Sequence, residues 1–147
     1  MELQSGEVKA ISAVRVGDRV RAASMLGETL FSEVVAVPHG ANSVEATFTR
    51  LVTATGREIK LSESHLLLAG PCGSRLALQQ ARDVAVGMCL QTVAGQERVA
   101  AAGLVQATGL YSFVVKAPNS LVAVNGVIAS PFALNHGKQR QTTALIP

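Results

Sequence analysis

Aromatic residues are scarce in this chain of 147 residues: four Phe, one Tyr and no Trp. A surface that binds single-stranded nucleic acid needs aromatic platforms beside basic residues, and none is interleaved here. Arg15, Arg19 and Arg21 are the nearest thing to a basic cluster, and they read as a solvated strand face. The scarcity also means that the core must be built from Val, Leu, Ala and Ile. Charge is sparse too. Charged residues make up 16% and hydrophobic residues 48%, with a net charge of +3. That balance excludes a disordered chain and suits one domain of ordinary size.

Two cysteines, Cys72 and Cys89, are too few for a disulfide framework. Whether they pair depends on geometry that spacing does not give, and a small buried thiol is the ordinary reading of Cys89. No CxxC or HxxxH spacing joins them to His39, His65 or His136, so no metal site and no cofactor are expected. No apolar run approaches the length of a membrane span. The opening MELQSGEVKA lacks the apolar core of a signal peptide. The chain reads as soluble, with its compartment unassigned.

Turn signals recur at short intervals, among them RVGDR, MLGE, TATG, GPCGS, VAGQ, APNS and VNG. Between them lie short Val-, Leu- and Thr-rich runs such as FSEVVAV, ATFTRLVTA and YSFVVKA. Such spacing predicts an all-β sandwich or barrel. RAASMLGETLFSEV and CLQTVAGQERVAA each read as a hairpin closed at a glycine, and Asn125-Gly126 as a tight turn. Only SRLALQQARDV reads as helical, with Leu76, Leu78 and Ala81 giving a turn or two.

AVRVGDRV (13–20) and DVAVGMCL (83–90) share one form, an apolar residue, a Val-Gly pair and an apolar residue, and each precedes a hairpin. Two matches in the same order suggest a duplicated β unit with pseudo-two-fold symmetry. Val-Gly pairs are also common before strands, so the echo alone does not prove duplication.

The stretch KLSESHLLLAG (60–70) sets His65 against three leucines, with Ser62 three positions earlier. His65 is open to three roles: a core residue with a satisfied hydrogen bond, a metal ligand, or an acid–base group. Local sequence favours the first.

The order SGEVKAISAVRVGDRV, FSEVVAVPH, LVTATGREIKLSESHLLL, ARDVAVGMCLQT and VAVNGVIASPFALNH resembles the Hint domain, the self-processing module of Hedgehog C-terminal halves and inteins. The likeness is closest to the Hedgehog-type branch and covers residues 2 to about 136, leaving 137–147 as a tail. It implies an all-β fold of intertwined strands with pseudo-two-fold internal symmetry. It also implies a chemistry in which an N-terminal Cys converts the preceding peptide bond to a thioester, which a second nucleophile resolves. Ser62-x-x-His65 is similar to the family's Thr-x-x-His motif. That likeness implies that His65 protonates the departing amine and that the Ser62 hydroxyl assists at the scissile amide. His39 stands where Hedgehog proteins carry an aspartate that activates a sterol. It is expected either as a base for another nucleophile or as a turn residue in PHGAN.

The pattern also departs from the family. The family's Cys lies a few residues before the segment that matches ELQSGE, so the domain is expected to be N-terminally truncated, with its nucleophile upstream of Met1. Pro131 stands where Hedgehog-type domains often carry a Cys. Asn135-His136-Gly137 reverses the order that ends splicing inteins, so splicing is not expected and His136 reads as structural or exposed. The expected function is cleavage from an upstream domain of the same polypeptide, the cis partner. Water or a thiol is the acceptor, and a sterol is disfavoured by His39. The alternative is an inactive Hint scaffold or interaction module.

Overall fold

The computed structural model describes the backbone of residues 1–116, 121–135, 138–140 and 145–146, and the side chains of these except at 38–44, 109–113 and beyond 130. Every named element is a strand or a short 3-10 helix. The strands are β1 (Arg19–Ala23), β2 (Thr29–Thr53), β3 (Glu58–Leu61), β4 (His65–Gly70), β5 (Ala77–Gln80), β6 (Cys89–Thr92), β7 (Gly95–Val115), β8 (Leu121–Val124), β9 (Val127–Asn135), β10 (Lys138–Arg140) and β11 (Leu145–Ile146). They form one antiparallel sheet in the order β10-β9-β8-β1-β2-β3-β11-β7-β6-β4-β5. Further pairings of β9 with β4 and β6, and of β2 with β7, fold the sheet back on itself. The fold is all-β, as the turn spacing implied.

The turns form where their residues allow. Asn125 (φ 51°) and Gly126 (φ 79°) both take left-handed backbone, so β8 passes into β9 through a two-residue turn with Val124 opposite Val127. Burial follows strand period. Ile59 and Leu61 of β3 point inward between half-buried Glu58 and Lys60. β4 is different: all six residues, His65 through Gly70, are buried. The run LLLA therefore fills both faces, with Leu67 and Ala69 in the main core and Leu68 in a second cluster with Ala23, Leu121 and Ile128.

The echo is a structural repeat. The two Val-Gly segments follow 3-10 helices at Ile11–Ala13 and Ala81–Asp83. Ile11 and Val14 are buried in the first copy, Ala81 and Val84 in the second. Gly17 (φ 96°) and Gly87 (φ 97°) turn the chain alike. The N–H of Gly17 donates to Val34 and that of Gly87 to Val99, at 2.9 and 3.0 Å. Even the turn caps correspond: the Arg15 N–H donates to the Asp18 carboxylate and the Ala85 N–H to the Met88 sulfur. The copies exchange strands, β2 of the first pairing along β7 of the second and β1 pairing with β8. That exchange is the intertwining.

Two expectations need correcting. SRLALQQARDV is not helical. Ala77–Gln80 is a strand in register with Leu66–Ala69, and only Ala81–Asp83 makes a 3-10 turn. The open edge of β4 supplies backbone partners that override the helical preference of Leu, Gln and Ala. Cys89 is not a free buried thiol either. Cys72 and Cys89 form a disulfide, with their Cα atoms 5.0 Å apart.

Polar groups hold the turns at one end. The Glu97 side chain, 9% exposed, accepts hydrogen bonds from Thr53, Thr55, Thr92 and Arg57. Arg57 also donates to the Asn125 carbonyl, and the Asn125 amide donates to the Glu58 carbonyl. One carboxylate thus ties the β2–β3, β6–β7 and β8–β9 turns together.

Candidate functional site

His65 opens β4 at the end of a tight turn. Its N–H donates to the Ser62 carbonyl at 3.0 Å, which closes Ser62-Glu63-Ser64-His65 into a single turn. The Arg82 N–H, on the second 3-10 helix, donates to the Glu63 carbonyl at 2.9 Å and pins the middle of that turn. Strand alternation then puts His65 on the same face as Leu67 and Ala69, the face of the main core. Its side chain is wholly buried.

Across from it runs β9. His65 is opposite Ala133 and Leu67 is opposite Ala129, so the ladder slips by extra residues of β9 between them. This is a β-bulge, a device that re-aims backbone groups and is enriched beside active sites. Ser130 lies in the bulge, and its carbonyl meets the imidazole Nε2 of His65. Pro131 follows, with no N–H to give a partner strand; prolines within sheets sit at such irregularities.

The chemistry follows from this contact. A carbonyl oxygen only accepts, so Nε2 carries the proton. Burial drives the pKa of His65 down from 6.5 to about 4, against the Ser130 carbonyl, which pulls it up. The ring is therefore neutral at physiological pH, and Nδ1 bears a lone pair. Among the described residues that Nδ1 has no hydrogen-bond partner. Leaving a buried acceptor unmatched costs about 1–3 kcal/mol. Functional sites are where such groups persist.

Ser62 lies at the head of the same turn and is half-buried. Its carbonyl, not its hydroxyl, contacts His65, and among the described residues the hydroxyl has no hydrogen bond. The backbone of His39 lies in β2 opposite Ser112, just after a slip in the β2–β7 register. The His39 side chain lies outside the described residues, as do His136 and the side chains of Pro131 and Asn135. Among the described residues no group of three or more His, Cys, Asp or Glu could hold a metal ion. Among the described residues no helix is long and apolar enough to cross a membrane.

Sequence reasoning missed Ser130. Its contact with His65 is made by a main-chain carbonyl, which leaves no mark on residue type. A proline inside VIASPFALN was the available signal, since it flags a break in a strand ladder.

Residues 1–147 match the sequence model of the Hint family, described as the Hint module. Warthog protein 6 of Caenorhabditis elegans is 29% identical over 138 residues, a match taking in 88% of this chain. The chain spans 23% of that relative's length. This likeness agrees with the Hedgehog-type branch expected from the sequence. Among solved structures, the gp41-1 intein is similar with a TM-score of 0.66 at 21% identity, covering 88% of this chain and 91% of that one. The DnaB intein from Synechocystis sp. PCC 6803 has a TM-score of 0.70 at 14% identity, covering 88% and 92%. At these identities the inteins speak for the fold alone. A family match running the length of the chain, on a fold shared with solved inteins, makes this protein a member of the Hint family.

Proposed function

We propose that this domain cleaves the peptide bond to an upstream segment of its own polypeptide by an N–S acyl shift, with His65 as the proton carrier. The observation that carries the reading is the His65 imidazole: buried, neutral, its tautomer fixed by the Ser130 carbonyl, and its Nδ1 lone pair unmatched. Both cysteines are consumed in the disulfide, so the nucleophile in this reading is a Cys upstream of Met1.

The step balances through one nitrogen. The upstream thiol gives its proton to Nδ1, and the sulfur attacks the carbonyl carbon of the residue before it. The tetrahedral oxyanion collapses, the C–N bond breaks, and Nδ1–H returns the proton to the leaving amine. A site that disfavours imidazolium makes that proton a strongly acidic one, which suits protonation of a poor leaving group. Ser62, one turn away, is proposed to hydrogen-bond the scissile amide. Histidine at position 39 in place of an acid favours water or a thiol over a sterol as the acceptor.

The test is an intact-mass spectrum of the natural precursor, with and without dithiothreitol, for wild type and His65→Ala. Thiol-dependent cleavage just before this segment, lost in the variant, is the expected result. One uncleaved mass under both conditions, and also with hydroxylamine in place of dithiothreitol, would replace this reading with that of a Hint scaffold without activity.

A further inference from the structure

The segment bridged by Cys72 and Cys89 is the same segment that grips both ends of β4. Between the two cysteines lie β5 and the second 3-10 helix. β5 pairs with β4 from Leu66 opposite Gln80 to Ala69 opposite Ala77, starting one residue after His65. The Arg82 N–H holds the Glu63 carbonyl, inside the turn that presents His65. At the other end Cys89 is the partner of Gly70, the last residue of β4.

β5 runs between buried anchors, Leu76 before it and Ala81 after it, and its Leu78 packs partly on the second core cluster. It is the outermost strand of the sheet order, four residues long, and none of them is buried. Short edge strands with few buried contacts open first. The disulfide joins the two ends of the segment that carries this edge strand, so it limits how far β5 and Arg82 can leave β4.

We propose that the Cys72–Cys89 disulfide is a positioning device for His65. When oxidised, it keeps β5 and the Arg82 N–H against the turn before the histidine. When reduced, it frees that segment, the turn loosens, and the His65 ring is no longer held against the Ser130 carbonyl. The reductant is a dithiol: its two S–H groups supply two electrons and two protons to the Cys72–Cys89 bond, leaving two thiols and the dithiol's own disulfide. The consequence for processing rests on the function proposed above. A dithiol would then act in two opposite ways, resolving the thioester while disarming the histidine that helps to form it.

The first test does not need activity. Imidazole 15N spectra of the 147-residue chain are recorded across pH for wild type and for Cys72→Ala/Cys89→Ala, with His65 assigned through His65→Gln. In wild type His65 is expected in one tautomer, Nε2 protonated, titrating far below an ordinary histidine. In the double variant both tautomers appear and the titration moves toward the ordinary value of about 6.5. Arg82→Pro, which removes the N–H but keeps both cysteines, is expected to give the same change and serves if the double variant does not fold. Unchanged tautomer and titration in folded variants would overturn the proposal and leave the disulfide a simple brace. The second test follows precursor cleavage driven by hydroxylamine, which resolves a thioester without reducing a disulfide. The double variant and Cys72→Ser/Cys89→Ser are expected to slow roughly ten-fold or more, with the pH profile displaced. A wild-type precursor that never cleaves, beside an altered His65 spectrum, would reject the proposed function and keep the positioning role.

Discussion

The imidazole of His65 and the main-chain carbonyl of Ser130 face each other across a slipped stretch of the β4–β9 ladder. The contact fixes one tautomer, and burial holds the ring neutral. The folded pKa is about 4 against about 6.5 in the unfolded chain. Above 6.5 both states are neutral and the group adds nothing to pH dependence. Below it the unfolded chain takes up a proton that the folded one refuses, so stability falls until about pH 4 and the loss then levels. A difference of this size is about 3 kcal/mol. Urea unfolding of wild type and His65→Leu at pH 7.5 and pH 4.5 should show most of that, about 2.5 kcal/mol, as extra loss in wild type. Equal losses would mean that the ring is not neutral and buried.

Ser62 separates stability from chemistry. Its carbonyl closes the His65 turn and its hydroxyl is free of bonds among the described residues, so Ser62→Ala should change stability by less than about 0.5 kcal/mol. If the hydroxyl meets the scissile amide, the same variant should slow precursor cleavage roughly ten-fold, and Ser62→Thr should restore it. Chemical denaturation and cleavage time courses on the same preparations check both halves.

Glu97 is predicted to be a costly residue to lose. Burial raises its pKa, but hydrogen bonds from Thr55, Thr53 and Arg57 and the charge of Arg57 outweigh this and leave it below the usual carboxylate range. Its contribution is present above the unfolded carboxylate pKa and lost as pH falls through the folded one. Glu97→Ala strands several donors and should cost about 2–3 kcal/mol at neutral pH, with the deficit shrinking in acid. Denaturant curves at two pH values test it.

Gly126 has a steric and a conformational reason to stay glycine. Its φ is +79°, and an added Cβ would overlap the Arg57 guanidinium that bonds Glu97 and the Asn125 carbonyl. Gly126→Ala should cost more than about 1 kcal/mol. Combined with Arg57→Ala the cost should be less than additive. A double-mutant cycle by thermal melting decides.

Removing the disulfide has a stability effect distinct from its proposed positioning role. The bridge spans a sequence separation of 17, and loops of about that length confer about 3 kcal/mol by loop closure. At this chain length that is a fall in Tm of roughly 10 °C. Differential scanning calorimetry of wild type and Cys72→Ala/Cys89→Ala measures it.

Strand spacing, the Asn125-Gly126 turn and the repeated Val-Gly segments were legible in the amino-acid sequence because each rests on local backbone preference and on side-chain period. Ala77–Gln80 was misread because its strand state depends on a partner edge, which local propensity does not contain. The pairing of Cys72 with Cys89 needed two segments brought within bonding distance. Ser130 was invisible because a main-chain carbonyl belongs to every residue, and only a slipped ladder turns this one toward a ring. The sequence by itself determined an all-β repeat with a histidine among leucines. Tertiary structure alone decided that this histidine is neutral, held in one tautomer and left with a lone pair, because burial and a bulged neighbouring strand set proton affinity.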